Sequence, residues 1–219
     1  MTPPDRSAET ITVLICDDHE LVADGLAAVL GREPDITVVA VARTMAQGIE
    51  AAEHHAPDVT LMDYELPDGR GDVATAELKR INPTGAVIML TSHNTDEVLA
   101  AALEAGSCGF LTKDTKVDVL IESVRKAAAG EALITRDLLA RLLPRVRPRS
   151  PSPRRDLTPR ELEVLTLLAE AADNETMAKT LYISVNTVRN HVANLTAKLG
   201  VHSRLEAVAL ANREGLLDR

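Results

Sequence analysis

The sequence is poor in aromatic residues, because Phe110, Tyr64 and Tyr182 are the only three and tryptophan is absent. Platforms that stack RNA bases and ligand pockets with aromatic walls both depend on such side chains. The composition therefore argues against an RNA-stacking surface and against an aromatic binding pocket.

Cysteine is also scarce: Cys16 and Cys108 are the only two, and both lie in apolar runs. This argues against a disulfide framework and a cysteine zinc site, and it suits a reducing cytosol. The six histidines include no pair at i, i+4 spacing, so a zinc-binding helix is not indicated.

Long apolar runs are missing as well. No stretch approaches the roughly 18 consecutive apolar residues that a membrane helix needs. The first residues, MTPPDRSAET, lack the basic and then apolar pattern of a signal peptide. We expect a cytoplasmic protein that does not bind membranes.

The 219 residues, 45% hydrophobic and 26% charged, suit two modest globular domains. The net charge of -9 at first argues against a nucleic-acid partner. However, residues 1–140 carry 11 basic and 24 acidic side chains, whereas residues 141–219 carry 13 and 9. Residues 176–205 hold four basic side chains and no acidic one. The acidic total therefore does not exclude a nucleic-acid partner for the second half, and a basic patch of this size would give moderate, salt-sensitive affinity.

The N-terminal half alternates short apolar runs with segments of helical period. Five such strands and five such helices predict an α/β fold with a doubly wound parallel sheet covered on both faces. We expect a tail over 1–10, this domain over 11–130, and a linker over 131–156. The linker is predicted to contain a short helix and then a segment rich in proline and arginine.

In the C-terminal half, residues 157–219, the apolar residues recur at helical spacing throughout. Four helices are expected near 159–170, 174–181, 185–199 and 204–214. Two starts carry the capping-box spacing of a hydroxyl residue followed three positions later by glutamate, namely Thr158 with Glu161 and Ser203 with Glu206.

Polar residues follow four of the five expected strands. In a doubly wound sheet, ligands bind outside the carboxyl ends of the strands. Three carboxylates that converge there repel one another unless they share a cation, which predicts Mg²⁺. A lysine and a threonine hydroxyl beside them suit a phosphoryl group. The residues are Asp17, Asp18, Asp63, Thr91 and Lys113.

Residues 11–130 resemble the receiver domains of bacterial two-component response regulators, which have a flavodoxin-like (βα)5 fold. The similarity lies in ICDDHELVADGL, LMDYELPDGRG, AVIMLTS and GFLTKD. It implies that Asp63 accepts a phosphoryl group from a sensor histidine kinase, and that Thr91 and Phe110 form a switch. It also implies that Lys113 and Thr91 contact the phosphoryl oxygens. The implied Mg²⁺ ligands are Asp17, Asp18, Asp63 and the backbone carbonyl of Glu65.

The C-terminal half resembles the LuxR/NarL-type helix-turn-helix domain in LTPRELEVL, TVRNHV, KLGVHSR and EAVALA. This implies a double-stranded DNA operator as partner, with helix 185–199 in the major groove. Val188, Val192, Leu195 and Leu199 are expected to face the core. The candidate DNA contacts are Lys179, Asn186, Thr187, Arg189, Asn190, Lys198 and Arg204.

Two details of this half stay open at the level of the sequence. The last helix commonly pairs two copies in the subfamily, which implies an active homodimer, but Leu205, Val208 and Ala209 equally suit the core of one copy. Ala171 stands where relatives usually carry glycine, which predicts an altered turn.

Together these patterns predict a DNA-binding response regulator rather than an enzyme. The main alternative is a phosphorylation-independent LuxR-type transcription factor with a vestigial receiver. A ligand-gated quorum sensor is disfavoured by the carboxylate edge and the few aromatic residues. An aspartyl-phosphate hydrolase is disfavoured because Asp63 is followed by Tyr64 and Glu65 rather than by a DxD pair, and no cap domain is present in the sequence.

Overall fold

The computed structural model describes residues 10–92, 95–131, 133, 157–201 and 203–217, apart from the side chain of Asn186. Apart from residue 10, the predicted N-terminal tail lies outside these residues, and so does almost all of the predicted linker, including the short helix expected there. No helix in the described part of the chain has both the length and the apolar character needed to cross a bilayer.

A five-stranded parallel sheet forms the N-terminal domain, in the order β2-β1-β3-β6-β7. Two further short strands, β4 and β5, pair antiparallel in the loop after β3. The strands are β1 Ile11–Cys16, β2 Ile36–Ala42, β3 Val59–Asp63, β4 Glu65–Leu66, β5 Gly69–Arg70, β6 Ala86–Thr91 and β7 Gly109–Thr112.

Five helices cover the two faces of this sheet: α1 Glu20–Leu30, α2 Met45–His55, α3 Gly71–Ile81, α4 Asp96–Glu104 and α5 Val117–Ala128. Alternate residues of each strand point to opposite faces. Val13 and Ile15 of β1 therefore pack with α1 and α5, whereas Leu14 and Cys16 pack with α2, α3 and α4. The predicted flavodoxin-like α/β fold class is confirmed.

The antiparallel pair β4–β5 is the main difference from the sequence expectation, which comprised only the five strands of the parallel sheet. Strands of two residues have no periodicity that a sequence pattern could display. Asp68, in the turn between them, accepts hydrogen bonds from the backbone N–H groups of Met45 (2.6 Å) and Ala46 (3.0 Å). These bonds tie the loop after β3 to the start of α2.

Four helices form the C-terminal domain: α6 Pro159–Ala169, α7 Asn174–Leu181, α8 Val185–Leu199 and α9 Arg204–Arg213. The capping box of Thr158 and Glu161 is present in full at the start of α6. At the start of α9 the hydroxyl of Ser203 accepts the backbone N–H of Glu206. These caps satisfy N–H groups that have no partner within the helix, which fixes where each helix begins.

The predicted core face of α8 is confirmed, because Val188, Val192, Leu195 and Leu199 are all buried. On α9, Leu205 and Val208 belong to the same apolar cluster. Ala171 adopts a left-handed conformation at φ +55°, although it is not glycine. Alanine carries a Cβ, so this conformation costs some backbone strain that glycine would avoid.

Gly71 and Gly25 form a matched pair for testing how tightly the sheet edge is packed. A Cβ on Gly71 would collide with the backbone carbonyl of Asp63, whereas a Cβ on Gly25, exposed in α1, would meet nothing within 4 Å. Gly71→Ala should lower the free energy of unfolding by about 1–3 kcal/mol. Gly25→Ala should raise it by about 0.5–1 kcal/mol, because alanine is the better helix former. Urea denaturation measures both, and equal effects would contradict the packing described for Gly71.

Candidate functional site

Four of the predicted site residues meet at the carboxyl edge of the sheet. Asp63 and Thr91 are the last residues of β3 and β6, while Asp17 and Lys113 directly follow β1 and β7. Asp17, Asp63 and Thr91 are buried. The chain winds in opposite directions from the neighbouring strands β1 and β3, and ligands bind at such a switch point in an open α/β sheet.

Lys113 holds the two buried carboxylates together. Its Nζ donates a hydrogen bond to Asp63 Oδ2 at 2.5 Å and lies 2.9 Å from Asp17 Oδ2. The lysine side chain is only 15% exposed. Two buried carboxylates that face each other are tolerated because this cation lies between them.

The pKa values in this group follow from burial and pairing. Burial raises the pKa of the Asp63 carboxyl, and the neighbouring Asp17 raises it further, although the hydrogen bond from Lys113 acts in the opposite direction. Burial acts to lower the pKa of Lys113, but its bonds to Asp63 and Asp17 outweigh this, and the pKa is raised. The lysine is therefore firmly cationic at neutral pH.

Asp63 belongs to a group of four side chains that could bind a metal ion together. Asp17, Asp18, His19 and Asp63 each place one ligand atom so that all four lie within 4.8 Å of one another. Carboxylate oxygens are the donors that Mg²⁺ prefers, so the residues present fit the ion. His19 was not singled out in the sequence as a site residue. The available signal was its position directly after the aspartate pair.

The loop after β3 is fixed against the phosphoacceptor candidate. The backbone N–H of Glu65 donates to Asp63 Oδ1 at 3.3 Å, and the backbone N–H of Gly71 donates to the carbonyl of Tyr64 at 2.7 Å. The carbonyl of Glu65, implied as a metal ligand, thus belongs to a loop that is bonded back to the site.

Phe110 links this edge to the C-terminal domain. It lies in β7 and packs against the cluster on the α2–α4 face of the sheet. It also packs against the apolar cluster of the C-terminal domain, to which Leu103 of α4 belongs. Helix α4 contacts α9 directly. The predicted switch aromatic therefore lies at the contact between the two domains.

One polar bond crosses this contact, and a second supports it from within the C-terminal domain. The side-chain Nδ2 of Asn174, at the start of α7, donates to the carbonyl oxygen of Ala129, just after α5, at 2.8 Å. The Oδ1 of the same side chain accepts a bond from Arg204 Nη2 at 2.7 Å. Asn174 is 2% exposed, so both bonds are sealed from water. We call Ala129, Asn174 and Arg204 the interdomain latch.

Two of the DNA-binding candidates, Arg189 and Arg204, lie close to a charged residue at the end of the N-terminal domain. Burial lowers the pKa of Arg204 to about 10, with Glu131 and Arg189 among the neighbours that act on it. Burial raises the pKa of Glu131. The charge of Asp173 raises it further, whereas the charges of Arg204 and Arg189 act to lower it. Arg189, on α8, therefore lies within electrostatic reach of an acidic residue that follows α5.

The DNA-binding candidates differ in how exposed they are and in the partners that they contact. Arg189 and Asn190 are exposed on α8, and Lys179 is exposed and 3.6 Å from Glu175. The hydroxyl of Thr187 bonds that of Ser184 at the start of α8, and Lys198 pairs with Glu161 at 2.8 Å. Arg204 is turned into the latch. The side chain of Asn186 lies outside the described part of the chain.

Comparison with known proteins agrees with this geometry. Residues 13–125 match the family model of the response regulator receiver domain, and residues 155–211 match that of the bacterial regulatory proteins of the luxR family. The chain belongs to the LuxR/NarL-type response regulators, which are DNA-binding proteins of two-component systems.

Several relatives are similar over nearly the full chain. The transcriptional regulatory protein LiaR of Bacillus subtilis is 35% identical over 95% of this chain and 100% of its own. The nitrate/nitrite response regulator NarL of Escherichia coli K12 is 34% identical over 94% and 97%. The solved RcsB–DNA complex has a TM-score of 0.55 and 26% identity, and it covers 92% of this chain and 98% of RcsB. These relatives are regulators rather than enzymes.

The ion pairs of Lys113 provide a test of the site's electrostatics. Lys113→Gln should lower the free energy of unfolding by roughly 3 kcal/mol at pH 7.5, because the two carboxylates then lack their cation. Without the hydrogen bond from Lys113, the pKa of Asp63 in the folded variant should lie even further above its value in the unfolded chain. A carboxyl with a raised folded pKa stabilises the fold at low pH and loses that contribution as pH rises, so the loss should shrink at pH 5.

The exposed Lys116 in the same loop supplies the control, Lys116→Gln. Chemical denaturation at both pH values measures the difference. An effect of Lys113→Gln that equals the control, or one that does not depend on pH, would contradict the electrostatic account.

Proposed function

We propose that this protein is a phosphorylation-controlled transcription regulator of the cytoplasm. A sensor histidine kinase phosphorylates Asp63 in the domain over 11–130, and the domain over 157–219 then binds a double-stranded DNA operator as a homodimer. The linker over 131–156 connects them. The observation that carries this proposal is the position of Phe110, which packs against the phosphoacceptor domain and the DNA-binding domain at once.

The chemistry at Asp63 follows from its surroundings. A carboxylate oxygen of Asp63 attacks the phosphorus of the kinase's phosphohistidine, the P–N bond breaks, and an acyl phosphate forms. Lys113, now bonded to Asp63, moves its charge to the phosphoryl oxygens, and the Thr91 hydroxyl donates to another of them. Mg²⁺ bound by Asp17, Asp18, Asp63 and the Glu65 carbonyl would offset the negative charge there.

Regulation operates through the contact between the domains. The movement of Thr91 toward the phosphoryl group opens space for Phe110, whose ring leaves the apolar cluster of the C-terminal domain. The contact between α4 and α9 weakens and the latch opens. Arg189 then separates from the acidic receiver, and α9 becomes free to pair with a second copy.

DNA recognition falls to α8 and its surroundings. We infer that Arg189 and Asn190 reach base edges in the major groove, together with Asn186 and Thr187 at the start of the helix. Lys179, Lys198 and, once released, Arg204 contact phosphates. The exposed positions of Arg189, Asn190 and Lys179 support this assignment.

The second candidate is a phosphorylation-independent DNA binder with a vestigial receiver. A chain that lacked the aspartates of the site or Lys113 would favour this alternative. Instead, Asp17, Asp63 and Lys113 form a tight buried group, which favours a working receiver.

Replacement of Asp63 tests the proposed function. Asp63→Asn should abolish phosphoryl incorporation from a histidine kinase, because an amide oxygen is a far weaker nucleophile. It should also abolish the kinase-dependent rise in operator binding. The exposed neighbour of Lys113 gives the control Asp114→Asn, which should keep both. Radiolabel transfer and gel-shift titration measure the two properties. If incorporation were lost but DNA binding were unchanged with and without the kinase, the vestigial-receiver alternative would hold.

Asn174 allows the latch to be opened without phosphorylation. Asn174→Asp keeps the acceptor for Arg204 but replaces the donor to Ala129 with an oxygen that faces its carbonyl. A buried unpaired carbonyl costs about 1–3 kcal/mol, so the unphosphorylated variant should bind DNA roughly 5- to 100-fold more tightly than the wild type.

The probe for this measurement is a duplex selected from genomic fragments by the phosphorylated wild type, in gel shifts at fixed salt. Gln47→Glu adds the same charge at an exposed position of α2 and serves as control. Equal affinities of the two variants would show that the latch does not restrain DNA binding.

A further inference from the structure

His19 lies inside the group of carboxylates rather than beside it. Its Nδ1 is 2.8 Å from Asp18 Oδ1, 3.3 Å from Asp17 Oδ1 and 3.8 Å from Asp63 Oδ2. Ligands about 2.1 Å from one ion lie about 3 Å apart when adjacent and about 4.2 Å apart when opposite. The imidazole nitrogen therefore occupies a position that fits a shared coordination shell.

The backbone holds His19 at this position. It is the N-cap residue of α1, its carbonyl accepts bonds from Val22 and Ala23 at 3.0 Å, and its own N–H donates to Asp17 Oδ1 at 2.9 Å. N-cap positions favour Ser, Thr, Asp or Asn, whose side chains bond the first turn. The imidazole makes no such bond. A side chain that is poor at capping is thus held at the helix start and directed toward the aspartates.

The chemistry of an imidazole differs from that of the carboxylates around it. In its neutral form it adds a metal ligand without adding negative charge to a site that already holds three acids. Imidazole suits transition metals, whereas Mg²⁺ takes oxygen ligands. A fourth ligand of this kind changes which ion the site prefers.

We propose that His19 is a ligand of the divalent ion at the Asp63 site, and that its nitrogen makes this site favour Mn²⁺ over Mg²⁺. The inference rests on the proposed function only for the presence of a divalent ion. Nδ1 also lies 3.4 Å from Lys113 Nζ. Its side chain is 64% exposed, so an ion has access from solvent.

The test uses the full-length protein and Mn²⁺ as the probe. Electron paramagnetic resonance of free Mn²⁺ gives its dissociation constant, and displacement by Mg²⁺ gives the preference between the ions. Pulsed measurements on bound Mn²⁺ detect a coordinated nitrogen directly. His19→Asn is the informative variant, because asparagine is favoured at an N-cap and offers oxygen instead of the ring nitrogen. His54→Ala, at the exposed end of α2, is the control.

The wild type and His54→Ala should show nitrogen coupling to Mn²⁺, and His19→Asn should lose it. The preference for Mn²⁺ over Mg²⁺ should fall in His19→Asn, because the site then offers oxygen ligands alone. Mn²⁺ binding with no nitrogen coupling and an unchanged preference would overturn this inference alone. Binding of neither ion by the wild type would overturn it together with the metal site of the proposed function.

Discussion

The burial of two carboxylates at one edge of the sheet is the constraint on which the rest of the molecule depends. Asp17 and Asp63 are buried at the ends of strands whose other residues are mainly apolar, and Lys113 is the cation that makes this arrangement tolerable. Such a site responds strongly to any added charge, since little water is present to screen it. A phosphoryl group on Asp63 would compete with Asp63 and Asp17 for the same lysine.

A second constraint connects that edge to the C-terminal helices. Phe110 and Leu103 extend the apolar cluster of the C-terminal domain into the N-terminal one, and Asn174 bonds both Ala129 and Arg204. The contact therefore combines apolar packing with a desolvated guanidinium. Arg204 gives up water for a single described amide partner, so the closed arrangement carries an electrostatic cost. Release toward solvent or a DNA phosphate would recover it.

Much of the site followed from the sequence because parallel strands bring their carboxyl ends to one edge. Asp63, Thr91 and Lys113 could be placed together by that rule alone, and the core face of α8 followed from its helical period. The role proposed for His19 was not inferred, since its one signal, the position directly after the aspartate pair, equally suits an ordinary residue at a helix start. The interdomain latch could not be predicted from the sequence either. Periodicity tells which face of α9 is buried, but not whether another helix of its own domain or α4 covers it.

The central claim, that phosphorylation separates the two domains, is tested most directly by the distance between them. Spin labels on cysteines at the exposed positions Val73 and Tyr182 report that distance by double electron–electron resonance. Burial raises the pKa of Cys16 to about 12 and of Cys108 to about 11, which makes both native thiols less reactive than the introduced cysteines. The account predicts one narrow separation in the unphosphorylated protein, and a longer and broader one with Mg²⁺ and beryllium fluoride, a phosphoryl mimic. The same narrow distribution under both conditions would contradict it.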